Sequence, residues 1–153
     1  MRRLVLVLAW FVCTAAHAQY TLVLGVGDAG NGRGYREYAA ENCPTAEPCL
    51  TYCDLHREFN CDDCERSPHH FYECIMAMMQ CAHSIVFIVD KPDGWFGPDD
   101  ECGPGDPCAR SYTRLELWIL RHCPVLYRRT EWRTQNNVRV RMSFSGDSSA
   151  CPY

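Results

Sequence analysis

Cys61, Cys64, His69 and Cys74 are separated by two, four and four residues, the pattern of a compact zinc site. Three thiolates and an imidazole could hold the ion tetrahedrally. The same cysteines belong to a set of twelve, seven of them between Cys43 and Cys81. In a small exported chain that density means sulfur–sulfur bonding, because the compartment is oxidising and a small core needs staples. Disulfides are therefore expected among Cys43, Cys49, Cys53, Cys61, Cys64, Cys74, Cys81, Cys102, Cys108, Cys123 and Cys151. No metal and no cofactor is expected.

Three further groups of residues invite a chemical reading. Asp90, Asp93, Asp99, Asp100, Glu101 and Asp106 could offer oxygen ligands to calcium, but no EF-hand spacing orders them, and a solvated loop is the expectation. Gly25-Val26-Gly27-Asp28-Ala29-Gly30 has the letters of a dinucleotide fingerprint behind a strand. Asn31-Gly32-Arg33-Gly34 interrupts the helix that would have to meet the pyrophosphate, so a glycine-rich loop is expected. Arg128, Arg129, Arg133, Arg139 and Arg141 are the candidate binding residues, able to grip an anionic partner such as a sulfated glycan. No serine–histidine–acid set stands out by spacing.

The elements that must position these residues follow from periodicity. Tyr20–Leu24 reads as a strand. Thr45, Glu47 and Pro48 look like a helix start running to about Phe59, which would put Cys49, Cys53 and His56 on one face. Ser67-Pro68 starts a second helix, with Phe71, Ile75, Met78, Ala82 and Ile85 as its apolar stripe. The β-branched end of that run, up to Val89, suits a strand equally. Cys49 and Cys53 would lie about 6 Å apart along a helix and Cys74 and Cys81 about 10.5 Å, so the two pairs cannot both bridge one helix to the other. A third helix is expected over Tyr112–His122, with Thr113 and Glu116 as a capping box. Val138, Val140, Met142 and Phe144 alternate with polar residues, the signature of a half-buried strand that turns back at Gln135-Asn136-Asn137 onto residues 125–132. Met76, Met78 and Met79 are expected in the core.

The first 18 residues carry an address. Arg2-Arg3, an apolar run from Leu4 and Ala16-His17-Ala18 make a secretory signal, with cleavage expected after Ala18. Cys13 would leave with it, giving an odd eleven cysteines in the mature chain. Cys151, near the C-terminus behind a polar stretch, is the candidate for an intermolecular bond and a disulfide-linked homodimer. The 153-residue chain carries a net charge of −4. Residues 19–110 hold six basic and sixteen acidic side chains, and residues 111–153 seven and three. The two halves can satisfy each other or steer a partner.

Cys53-Asp54-Leu55-His56, with cysteines at 61, 64, 74 and 81, resembles the helix region of secreted phospholipases A2. The resemblance implies a cysteine-rich helix presenting His56 to activate water. It carries over His56 alone, because Arg57 stands where the calcium-binding aspartate belongs.

The fold class expected is a small disulfide-rich α+β domain over residues 19–153, built on the cysteine-dense run 43–81, with cysteine-bridged helices and a short antiparallel hairpin near the C-terminus. The function expected is a secreted, extracellular, non-catalytic binding protein (effector, ligand or inhibitor) acting on an extracellular protein. It is not expected to bind nucleic acid or to span a membrane. The alternative is a phospholipase A2-like hydrolase using His56.

Overall fold

The computed structural model describes residues 13, 19–28, 30–43, 46–61 and 68–151. Within them the chain is a small α+β structure with five cysteine pairs. Its frame is a four-stranded sheet with every pairing parallel: β1 (Thr21–Gly25), β2 (Cys49–Leu50), β3 (Ser84–Ile88) and β6 (Thr130–Arg133), in the order β2-β1-β3-β6. Helix α1 (Tyr35–Asn42) links β1 to β2. A short α2 (Tyr52–Leu55) and the long α3 (Pro68–Cys81) lead to β3, and α4 (Tyr112–Arg121) and α5 (Pro124–Arg128) lead to β6. A small hairpin of β4 (Asp90–Lys91) and β5 (Gly94–Trp95) stands apart from the sheet.

Parallel neighbours need a crossover between them, and helical crossovers cover the faces of a sheet. The inner strands are accordingly buried: all five residues of β1, and Ile85, Phe87 and Ile88 of β3. Helix α3 starts at Pro68, and its stripe packs Phe71, Ile75 and Met78 into the core beside Met76 and Met79. The β-branched end of that run is the strand β3, because the helix stops at Cys81 and the chain must re-enter the sheet next to β1.

Gly25 marks the tightest point. Its φ is +113°, and a Cβ there would lie 2.4 Å from the Ile88 carbonyl oxygen. Gly34, just before α1, has the same role against Gly27, where a Cβ would meet the carbonyl oxygen at 2.1 Å.

Four expectations are corrected. The core joins the sheet to α3, so the cysteine-dense run supplies one layer of it rather than the whole. The helix expected over 45–59 is not formed: residues 49–60 make the two-residue β2, the four-residue α2 and turns. Thr51 caps α2 there, its N–H bonding Asp54 Oδ2 at 2.7 Å, so Cys49 lies in a strand while Cys53 and His56 lie at the helix. Thr45 itself is outside the described residues. The C-terminal antiparallel hairpin is reduced to one bridge, Arg133 to Arg139. The turn at 134–137 does form, with Asn137 N–H bonding Thr134 O at 2.9 Å. Past Val140 the segment then leaves β6, because side chains take its carbonyls. Tyr127 bonds Met142 O at 2.5 Å and Arg121 bonds Ser143 O at 2.9 Å. Burial rises inward as the segment goes, from Val138 at 58% exposed to Met142 at 8%.

The fourth correction concerns Cys151. It pairs with Cys123 inside the same chain, at a Cα separation of 4.9 Å. The polar stretch before it is tied down rather than free. His122 Nδ1 lies 2.7 Å from Asp147 Oδ1, Ala150 N–H bonds His122 O at 3.1 Å, and Tyr72 O–H bonds Ala150 O at 2.9 Å.

The other pairs are Cys13–Cys81, Cys43–Cys49, Cys61–Cys74 and Cys102–Cys108. Cys49, Cys74 and Cys81 thus pair with Cys43, Cys61 and Cys13, and the helix that the spacing argument assumed for Cys49 and Cys53 is not formed. Cys64 is outside the described residues, and Cys53 is free and exposed.

Substitution Cys151→Ser should leave a monomer on a non-reducing gel and lower the unfolding free energy by about 3.6 kcal/mol, the chain-entropy value for a loop of this length. Denaturant melts and the gel read both outcomes.

Candidate functional site

His56 follows the last residue of α2, and its Nδ1 lies 2.9 Å from the carbonyl oxygen of Cys53 one turn back. Its ring stacks on Tyr52, with centroids 6.0 Å apart. The long cysteine-rich helix that the phospholipase resemblance implies around His56 is a single turn here.

The five candidate arginines differ in their partners. Arg129 lies by the end of α3, where its Nη1 donates to Ala82 O at 2.8 Å. Arg133 and Arg139 share Glu131: Arg133 Nη2 is 2.5 Å from Oε2, and Arg139 Nη2 is 3.5 Å from Oε1. Those two cations, Arg133 foremost, hold the Glu131 carboxyl below its ordinary range. Arg128 and Arg141 are exposed and have no carboxylate partner among the described residues.

The acidic loop is used internally. Lys91 Nζ bonds Asp100 at 2.7 Å, Arg114 comes within 3.8 Å of the same carboxylate, and Arg121 pairs with Glu101. Here two arginines of the basic C-terminal segment, Arg114 and Arg121, meet two acids of the loop. No group of three or more His, Cys, Asp or Glu able to hold a metal occurs among the described residues.

Two constellations arise that spacing did not reveal. In the first, His122 lies between carboxylates, with Nε2 2.8 Å from Glu101 Oε1 and Nδ1 2.7 Å from Asp147 Oδ1. Ser149 Oγ is 3.2 Å from the same Nδ1, so a serine, a histidine and two acids meet. The bonding is wrong for a nucleophile. Ser149 Oγ donates to Asp147 Oδ1 at 2.8 Å, and Asp147 also accepts the Ser149 N–H. Both ring nitrogens of His122 already face carboxylates, and the serine proton goes to Asp147. The set works as a clamp on the C-terminal segment. His122 above all, then the Ser149 amide and hydroxyl, lower the Asp147 carboxyl to about 2.

The second lies at a cavity of about 320 Å³ lined by Arg36, Ala39, Ala40, Cys49, Thr51, Cys53 and Asp54. Arg36 Nη2 is 3.1 Å from the free Cys53 sulfur, and its Nε donates to Tyr35 Oη at 3.3 Å. The nearby His56 turns its Nδ1 to the Cys53 carbonyl rather than to the thiol, so it is not placed there as a base for it.

A third feature is an open groove of about 510 Å³ between two segments, Trp95–Pro98 on one side and Val140–Ser143 on the other. Trp95 stands at its edge 58% exposed, and Val138, two residues before the second wall, is 58% exposed too. Both walls are anchored from beneath. Arg121 bonds Glu101 just beyond the first wall and the Ser143 carbonyl in the second. The Cys102–Cys108 and Cys123–Cys151 bridges lie next to these contacts in sequence.

Glu116 is the most perturbed acid. The expected capping box with Thr113 does not form. Instead both side chains hold Gly25, whose N–H reaches Glu116 Oε2 at 3.2 Å and whose C=O accepts from Thr113 Oγ1 at 3.2 Å. Burial pushes the Glu116 carboxyl up from 4.5 to about 8, against the smaller opposing pull of the Gly25 N–H. The folded chain therefore keeps a proton that the unfolded chain releases from about pH 4.5 upward. Stability from this site is complete below about 4.5 and declines as pH rises to about 8. Glu116→Gln, which keeps the acceptor for Gly25, should remove that decline. Thermal melts at about pH 5 and about pH 8 should show a smaller difference in the variant than in the wild type.

A scan against protein-family models found no match, and searches of curated proteins and of solved structures found none either.

Proposed function

We propose that the chain is a secreted, disulfide-stabilised binding protein that acts without catalysis on an extracellular protein partner. The observation that carries this reading is the groove between Trp95–Pro98 and Val140–Ser143, with a large aromatic side chain left 58% exposed at its edge. Exposed tryptophan beside an apolar cleft is a common energetic centre of protein interfaces. The walls are held by a clamp and by nearby disulfides, so little freedom is lost on docking. Neither the His122 cluster nor the Cys53 cavity supplies a base, nucleophile and oxyanion donors in working order. Five cysteine pairs suit an oxidising compartment, and no helix among the described residues is long and apolar enough to cross a membrane.

Trp95→Ala should leave the melting profile nearly unchanged, because the ring is mostly in water, and should abolish capture of the partner from extracellular fluid. Capture that survives the substitution refutes the assignment to this groove.

Secretion with cleavage after Ala18 has a chemical consequence. It removes Cys13 and leaves the buried Cys81 sulfur without the partner it has in the full chain. N-terminal sequencing of the exported protein should read Gln19, and peptide mapping should find no Cys13–Cys81 crosslink. An exported chain that retains that crosslink would show that the leader is not removed.

A further inference from the structure

We infer that the groove takes an extended peptide segment in which a carboxylate side chain stands next to an apolar one, supplied by a protein partner. This rests on the binding role proposed above and names the chemistry that the partner must bring.

The walls define the apolar part. Phe96 and Met142, each 8% exposed, line it together with half-buried Val140, Pro98 and the exposed Trp95. Arg141 is the one charged residue among those lining the groove. It is exposed, and its guanidinium has no carboxylate among the described residues, although Arg133 and Arg139 nearby both share Glu131. A free guanidinium at the side of an apolar cleft is matched by a carboxylate, which it can grip with two parallel N–H donors.

The backbone sets the shape of the ligand. Residues 140–145 belong to no strand. The Val140 N–H is taken by Trp132 O at 2.8 Å on the sheet side. Arg141, the next residue, lines the groove. The N–H and C=O of Arg141 bond to nothing among the described residues. An added strand would pair with that residue, while its alternate side chains fall toward Trp95 and toward the Arg141 guanidinium.

A sulfated glycan is the competing anionic ligand, and the arrangement favours it less. Such a ligand needs several free cations in a row. Three of the five candidate arginines are engaged by Glu131 or by the end of α3, and the cleft walls are aromatic and aliphatic.

The test uses the oxidised mature protein and labelled short peptides with blocked ends, alternating valine with glutamate, with glutamine or with lysine. A heparin oligosaccharide is the competitor. Fluorescence anisotropy should rank glutamate above glutamine by about tenfold, the worth of one charged hydrogen-bonded pair, with lysine weakest. Arg141→Glu should reverse the order of the glutamate and lysine peptides. Arg128→Glu, which changes the other unpaired arginine away from the groove, should leave it unchanged.

Equal affinity for the three peptides, or an order untouched by Arg141→Glu, overturns the inference. So does heparin competition that weakens as much in Arg128→Glu as in Arg141→Glu, which would assign the site to a glycan. If no peptide binds while Trp95→Ala still abolishes partner capture, the extended-peptide inference fails and the binding role stands. Capture that persists in Trp95→Ala removes the role itself.

Discussion

Strands β1 and β3 run in the same direction over five paired positions, from Thr21 opposite Ser84 to Gly25 opposite Ile88. Parallel neighbours cannot be joined by a tight turn, so the chain between them must leave the sheet and return. That requirement accounts for α1, α2 and α3, and for the burial of both strands. The pairing ends at Gly25, where the approach of Ile88 leaves no room for a Cβ. The amide and the carbonyl of that glycine are then held by Glu116 and Thr113 from α4. The last peptide of β1 is thus the point where the sheet and the α4 layer lock together.

The disulfides serve a different purpose. Three of the five join residues only 6, 13 and 6 positions apart. A crosslink over so short a loop removes less unfolded-state entropy than one over a long loop. These clips tie Cys43 to β2, Cys61 to α3 and the two ends of the 102–108 loop to each other. The long-range order comes from apolar burial around β1, β3 and α3. Cys123–Cys151 is different in kind, because it works with the His122 clamp to hold the last segment against α4 and α5. By doing so it also fixes one wall of the groove.

The same division stiffens the neighbourhood of the groove. Close to its walls in sequence, Glu101 is paired with Arg121 and His122, and Asp147 with His122 and Ser149. Closed pairs of this kind hold a surface in one arrangement. Arg141 and the ring of Trp95, by contrast, are exposed.

Several parts of this structure are local in cause and could be read from the chain. The β1 segment is a run of apolar residues ended by glycine. Helix α3 begins at a proline in its first position and repeats its apolar residues at helical spacing. The 102–108 clip joins near neighbours, and the glycine-rich stretch after β1 is a loop because no helix can start within it. Other features depend on partners distant in sequence. Thr113 and Glu116 have the spacing of a capping box, but a peptide 88 and 91 residues away claims them both. Glu101, His122, Asp147 and Ser149 share no motif, and folding alone brings them together. The alternation from Val138 to Phe144 promised a strand, yet Tyr127 and Arg121 took the carbonyls that a strand partner would need. Periodicity reports which side of a segment is apolar. Which neighbour that side meets, and which hydrogen bonds remain for it, is set by the competition among all segments for the same sheet.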